Sequence, residues 1–227
     1  MKRTPARRTI PAKSSTKPRS DLRLEEGRVA ELLDIASQVF LANGFAGASM
    51  NEIAKLSNSS KTTFYARFPT KEQLFIAVME RRMETVLGEV TAPLPPESPL
   101  HITLREYASR FLRLALSDDQ ITLFRIISME SVRFPDLGKR FYDLGPKRGQ
   151  AFLANYFQQQ IDLGRLRKED PRAMAEHLVS LLAGGYVRWT LLGLEAATRS
   201  KEKQQEHING ALKVFLRAYE TPAANKS

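Results

Sequence analysis

Apolar residues along this chain recur at every third or fourth position, the spacing of helices that bury one face, and the sequence reads as all-α. Val29, Leu32, Leu33, Ala36, Val39 and Phe40 trace a stripe along Leu24 to Asn43 that Gly44 ends, giving a scaffold helix. A short helix starting near Met50 buries Ile53, Ala54 and either Leu56 or Ser57, with Asn51, Glu52 and Lys55 outward. Another opens at Ser60 and turns around Phe64 and Phe68 until Pro69 stops it. Lys71 to about Leu87 continues with Leu74, Val78, Met79 and Met83, linking this head to the rest of the chain.

Prolines punctuate the remainder. Gly88 to Pro99 reads as a connection, and Ser98-Pro99 as the start of a helix carrying Leu104, Ala108, Phe111, Leu112 and Ala115. Asp118-Asp119 are read as the cap of the next helix, whose Ile121, Leu123, Phe124, Ile126, Ile127, Met129 and Val132 make it apolar on most sides and central. Phe134-Pro135 ends it. Helices over Pro135 to Leu144 and Pro146 to Leu163 follow, and Asp170-Pro171 caps a long one bearing Met174, Leu178, Leu181, Leu182, Tyr186, Val187 and Trp189. Gly184-Gly185 inside it costs roughly 1 kcal/mol per glycine relative to alanine, so either another helix approaches closely there or the helix kinks. A last helix spans about Ser200 to Tyr219.

The densest chemistry lies between Gly44 and Phe75, read as a helix-turn-helix. Ser49 and Glu52 form a capping box, Ser60 is an N-cap, and Thr70 with Gln73 forms a second box. Asn58 tolerates the left-handed backbone that a tight turn demands. Lys61, Thr62, Thr63, Tyr65 and Arg67 give the second short helix a small, polar and basic face, suited to a major groove where phosphates and base edges need donors. Lys71 sits in the first turn of the following helix, where a cation opposes the helix dipole unless an anion such as a DNA phosphate lies nearby.

Charge sharpens that picture. Of the net charge of +10 in 227 residues, seven units come from Lys2, Arg3, Arg7, Arg8, Lys13, Lys17 and Arg19, with no acid among the first twenty positions. With Pro5, Pro11 and Pro18 this basic tail, residues 1–22, is expected to be disordered, either as a plain solvated tail or as an arm gaining DNA affinity through counterion release. A short polar tail, 221–227, closes the chain.

Other chemistries find little support. The absence of cysteine excludes disulfides and Cys-ligated metals. His101, His177 and His207 lie on separate helices, and Ser14-x-x-Lys17, which mimics a nucleophile motif, falls in the tail. No phosphate-loop pattern appears, no cofactor is expected, and the protein is not read as an enzyme. Without a run of about twenty apolar residues or a secretion signal, a cytoplasmic protein away from membranes is expected.

Ser49 to Glu52, Ile53-Ala54, Ser60-Lys61-x-Thr63-Phe64-Tyr65-x-x-Phe68 and Lys71-Glu72-x-Leu74-Phe75 resemble the N-terminal domain of TetR/AcrR-type bacterial transcription regulators, over roughly Val29 to Phe75. Asn58 and Ser59 depart from that family's usual glycine and apolar residue at the turn, which is expected to loosen it. Thr62 departs from its usual small residue. The resemblance implies that Lys61, Thr62, Thr63 and Arg67 face bases or the nearby backbone, and that Ser49, Met50, Asn51, Tyr65 and Lys71 hold mainly phosphates. The alternative for Tyr65 is simple packing beside Phe64 and Phe68.

From about Phe124 to Glu195 the sequence resembles the AefR-like subgroup. That implies a helical regulatory domain, residues 71–220 behind a DNA-binding domain of 23–70, whose last two helices pair with their symmetry mates in a four-helix bundle. Phe111, Phe124, Met129, Phe141, Phe157, Tyr186 and Trp189 are candidates to line a pocket for a small-molecule effector, or plain core. The expected function is a homodimeric, ligand-responsive repressor on a palindromic DNA operator. Its rival is a nucleoid-type structural protein that coats DNA without sequence preference.

Overall fold

The computed structural model describes residues 19–194 and 200–222, so most of the basic tail and most of the short closing tail lie outside the described residues. Among the described residues the chain forms ten helices: α1 (Arg19–Gly47), α2 (Met50–Leu56), α3 (Lys61–Arg67), α4 (Lys71–Val90), α5 (Leu100–Ala115), α6 (Asp118–Glu130), α7 (Pro135–Leu144), α8 (Pro146–Asp162), α9 (Pro171–Leu191) and α10 (Lys201–Tyr219). Proline begins α7, α8 and α9, where its missing N–H and fixed φ cost nothing.

Two cores hold these helices. One joins α1, α2 and α3 to α4 and continues onto α6 and α7, so that Phe40, Ile53, Phe64 and Phe75 share a cluster with Met83, Leu123, Ile127 and Leu137. Phe75 meets Phe40 and Phe45 edge-on, with centroids 4.9 and 5.4 Å away. The other packs α5, α8, α9 and α10 around Phe157 and Phe215, whose rings lie 5.2 Å apart. Arg165, after α8, ties down the proline-rich connection by donating to the carbonyls of Pro96 and Glu97 and to Gln160 Oε1.

α4 is the element common to head and body. Arg81 makes a two-pronged pair with Asp34 of α1 at 2.8 and 2.9 Å. Arg82 donates to Ser37 Oγ of α1 at 2.9 Å and to Asp119 of α6 at 2.7 Å, so one guanidinium spans three helices.

Several sequence expectations need correction. α1 already begins at Arg19, inside the expected tail; its helical backbone does break at Gly44 as expected (φ 69°, ψ 177°), and a further short turn to Gly47 follows that break and places Phe45 in the core. α4 passes Gly88 and stops at Val90. Pro99, not Ser98, occupies the cap position of α5 and makes no side-chain cap bond. Ser117 caps α6, because its Oγ accepts from Gln120 N, which leaves Asp118 and Asp119 in the first turn where carboxylates favour the dipole. α6 ends at Glu130, and the chain there faces solvent: Met129 is 75% and Val132 87% exposed, so the segment is not apolar-buried throughout. Leu56 is exposed as well.

Among the described residues, nothing beyond the neighbouring backbone of α9 lies within 4 Å of where a Cβ on Gly184 would stand, and Gly185 leaves room for the Trp189 ring one turn along, at 3.5 Å. Among these residues, then, no second helix presses on either glycine. Glu26–Gly47 is long and apolar enough by composition to cross a membrane. Its apolar positions Leu32, Leu33, Ala36, Val39 and Phe40 are nonetheless buried against the rest of the head.

Candidate nucleic-acid interface and internal cavity

The two short helices are set by their caps. Ser49 Oγ accepts from Glu52 N at 3.4 Å and Ser60 Oγ from Thr63 N at 3.1 Å. Between them the chain reverses on Asn58 at φ 50°. Asn58 N donates to Lys55 O at 3.1 Å and Ser59 N to Ala54 O at 3.0 Å, the paired bonds of a complete helix-ending reversal. Ser57 Oγ also donates to Ser59 Oγ at 3.1 Å. The asparagine and serine therefore close the turn rather than loosening it.

Phe64 and Phe68 anchor α3 inward, while Lys61, Thr62, Thr63, Tyr65 and Arg67 are all exposed along its outer side. Ser49 and Asn51 are exposed at the start of α2, and Met50 is half-buried. Tyr65 does more than pack: its hydroxyl donates to Asn51 Oδ1 at 3.3 Å, joining the outer faces of α2 and α3, while its ring meets Phe64 edge-on. Thr63 Oγ1 is engaged with Ser60 Oγ at 2.8 Å.

Lys71 holds a position that sequence reasoning missed. Its ammonium donates to the carbonyls of Ala46 and Ala48 at 3.0 and 2.9 Å and lies 5.2 Å from the centre of the Phe45 ring. Carbonyls at the end of α1 thus offset the unfavourable dipole at the start of α4, and one of the three ammonium protons is left for an anion. The break at Gly44 was the available signal, since it leaves carbonyls beyond α1 without helical partners.

Comparison with known proteins decides what this surface belongs to. Residues 32–78 match the model of the bacterial regulatory proteins of the tetR family, and residues 102–221 match the C-terminal domain of AefR-like transcriptional repressors. The chain belongs to the TetR family. A Mesorhizobium loti protein assigned to the TetR-family transcriptional regulators superposes with a TM-score of 0.80 at 27% identity, covering 90% of this chain and 100% of that one. The flavonoid-responsive regulator FrrA superposes with a TM-score of 0.74 at 31% identity, covering 87% and 99%. FasR of Mycolicibacterium smegmatis, an HTH-type transcriptional activator, is 30% identical over 105 residues, 42% of this chain and 48% of its own length. The chain thus spans about half of that relative.

As a TetR-family protein the chain is a DNA-binding transcriptional regulator and not an enzyme. Its C-terminal helical part contains a cavity of about 250 Å³ between α4, α5, α6, the α7–α8 junction and α9. Phe111, Phe124 and Phe141 of the expected pocket residues line it. The other four do not. Met129 points to solvent, Phe157 is sealed in the second core, Tyr186 is buried with its hydroxyl on Lys203 O, and Trp189 is 40% exposed beside Gly185. Sequence reasoning missed Tyr107, Gln120 and Gln150, the polar side chains of this wall; helical periodicity marks Tyr107 only as one more inward residue of α5.

The histidines also have structural places. His177 Nδ1 is hydrogen-bonded to the Tyr219 hydroxyl, and His207 Nε2 lies 2.8 Å from Leu182 O while its ring stacks on Tyr186 at 4.1 Å. His101 is exposed on α5.

Proposed function

We propose that the protein is a cytoplasmic homodimer that binds a palindromic operator and represses transcription until a small, largely apolar molecule enters the cavity. The observation that carries the DNA reading is the outer face of α3, anchored from behind by Phe64 and Phe68 and presenting hydroxyls and cations outward. In a two-fold dimer the two copies of α3 lie about one DNA turn apart, roughly 34 Å, or a multiple of it. Lys61, Thr62, Thr63 and Arg67 face bases or the adjoining backbone, and Ser49, Met50, Asn51, Tyr65 and Lys71 hold phosphates. Residues 23–70 form the reading head and 71–220 the regulatory unit.

Dimerisation through α9 and α10 is supported by what these helices leave uncovered. Gly184 meets no other helix among the described residues, and Trp189, Leu192 and Val214 are exposed. Repression rather than activation rests on the AefR-like repressor match over 102–221. FrrA, by name responsive to flavonoids, supports an effector built on aromatic rings.

A gel shift comparing the promoter fragment upstream of the protein's own gene with a scrambled version tests the reading. Preference for the native fragment, with transcription rising on deletion of the gene, is expected. Equal affinity for both fragments would instead favour the coating protein, and a fall in transcription would make the protein an activator.

A further inference from the structure

The cavity wall restricts what can enter. The wall itself contains no aspartate, glutamate, lysine, arginine or histidine, and Arg110, whose charge reaches the Tyr107 hydroxyl, is engaged by the carbonyls of Val90 and Ala92, so a charged guest would lose its hydration with no charged side chain of the wall as partner. Its aromatic side chains come in two pairs: the rings of Tyr107 and Phe111 lie within 10° of parallel at 6.0 Å, and those of Phe124 and Phe141 lie 5.6 Å apart with their planes tilted by 42°. A dry cavity of about 150 Å³ takes benzene, so about 250 Å³ leaves room for a second ring.

One polar group breaks the apolar wall at depth. Tyr107 is only 1% exposed and lines the cavity, and its hydroxyl feels the Arg110 charge but is hydrogen-bonded to no side chain or carbonyl among the described residues. Burial holds this hydroxyl well above the usual tyrosine range, so it stays protonated and able both to donate and to accept. Buried hydroxyls are satisfied as a rule, and a guest is the group that can satisfy this one. The side-chain amides of Gln120 and Gln150 lie on the same wall, half-buried.

We propose that the cavity takes an uncharged molecule of two aromatic rings with one hydroxyl or carbonyl oxygen paired to Tyr107 Oη. This rests on reading the cavity as the effector site, and it adds the guest's charge, shape and anchoring atom. Carboxylates and ammonium compounds of the same size are excluded.

The test uses the full-length protein and a matched set: biphenyl, 4-phenylphenol, biphenyl-4-carboxylate and 4-phenylbenzylammonium, titrated by calorimetry. 4-Phenylphenol is expected to bind tightest, biphenyl more weakly, and the two ions not measurably. Tyr107→Phe keeps the ring and removes only the oxygen. It should weaken 4-phenylphenol about five- to tenfold, the worth of one neutral hydrogen bond, and leave biphenyl unchanged, which also shows that the variant is folded. Binding of either ion as tight as that of 4-phenylphenol, an unaltered 4-phenylphenol affinity in Tyr107→Phe, or no binding by any of the four would overturn the proposal. If 4-phenylphenol binds through Tyr107 but leaves operator affinity in a gel shift unchanged, the ligand class stands and the effector reading falls.

Discussion

Phe134, in the connection between α6 and α7, stands edge-on to Phe45 at the end of α1, with ring centroids 5.9 Å apart and planes at 63°. Phe45 in turn carries the Lys71 ammonium, and Phe124 and Phe141, on the helices either side of Phe134, line the cavity. The body therefore touches the head at the residue that fixes the start of α4.

Phe134→Ala tests this junction. Because Phe134 is half-buried, the loss should fall below the ~3–5 kcal/mol of a fully buried phenylalanine, at about 1–2 kcal/mol in urea unfolding. Amide hydrogen exchange at the end of α1 and the start of α4 should speed up while α8 and α10 remain protected. Uniform loss of protection across the chain would show that the contact is only one among many core contacts.

Lys71→Ala should act twice. Removing two charge-assisted bonds to carbonyls should destabilise the head by about 1–3 kcal/mol in thermal or urea unfolding. Affinity should fall alike for all DNA sequences, with the salt slope reduced by about one unit. Lys71→Arg, which keeps the charge, should restore most of the slope. A change confined to which operator is chosen would contradict a phosphate role.

How much of this was legible in the sequence follows from the range of the forces involved. Caps and breakers act within a turn of the chain, so Ser49, Ser60, Thr70, Asn58 and the prolines at 135, 146 and 171 could be read directly. Faces of helices followed where a polar side opposed an apolar one, as in α3. Where a helix is apolar on several sides, composition does not say which side meets another helix; Met129 and Val132 therefore looked central and are exposed. Partners distant in sequence were invisible for the same reason. Lys71 with Ala46 and Ala48, Arg82 with Ser37 and Asp119, and the cavity at Tyr107 all depend on how helices meet. The residues proposed to face DNA were accessible because a motif holds them within twenty-three positions, Ser49 to Lys71.

The Arg81–Asp34 pair sets a pH dependence. The Arg81 hydrogen bonds hold the Asp34 carboxyl below the usual carboxylate range. A depressed folded-state pKa contributes stability above the unfolded value, about 3.9, which is lost as the pH falls through the folded one. Both side chains are largely in solvent, so the contribution should be only about 0.2–1 kcal/mol. Asp34→Asn should therefore be slightly less stable than the parent near neutral pH and converge with it under acid. A gap that persists under strong acid would mean that the substituted amide strains the helix junction for reasons unrelated to charge.

Gly184 offers the sharpest test of assembly. With no neighbour from another element within 4 Å of a Cβ there among the described residues, Gly184→Ala should not harm the isolated protomer, and should gain up to about 1 kcal/mol in helix propensity. A long charged side chain at the same place would project from α9 between the exposed Ser180 and Arg188 into any helix packed across that face. In a dimer formed through α9 and α10, Gly184→Arg should shift sedimentation velocity from dimer to monomer. It should also weaken operator binding far more than binding to a half-site, since only the paired heads gain from a shared duplex. A Gly184→Arg protein that still sediments as a dimer would place the two-fold axis on another face, the exposed Met129 and Val132 at the end of α6 being the next surface to mutate.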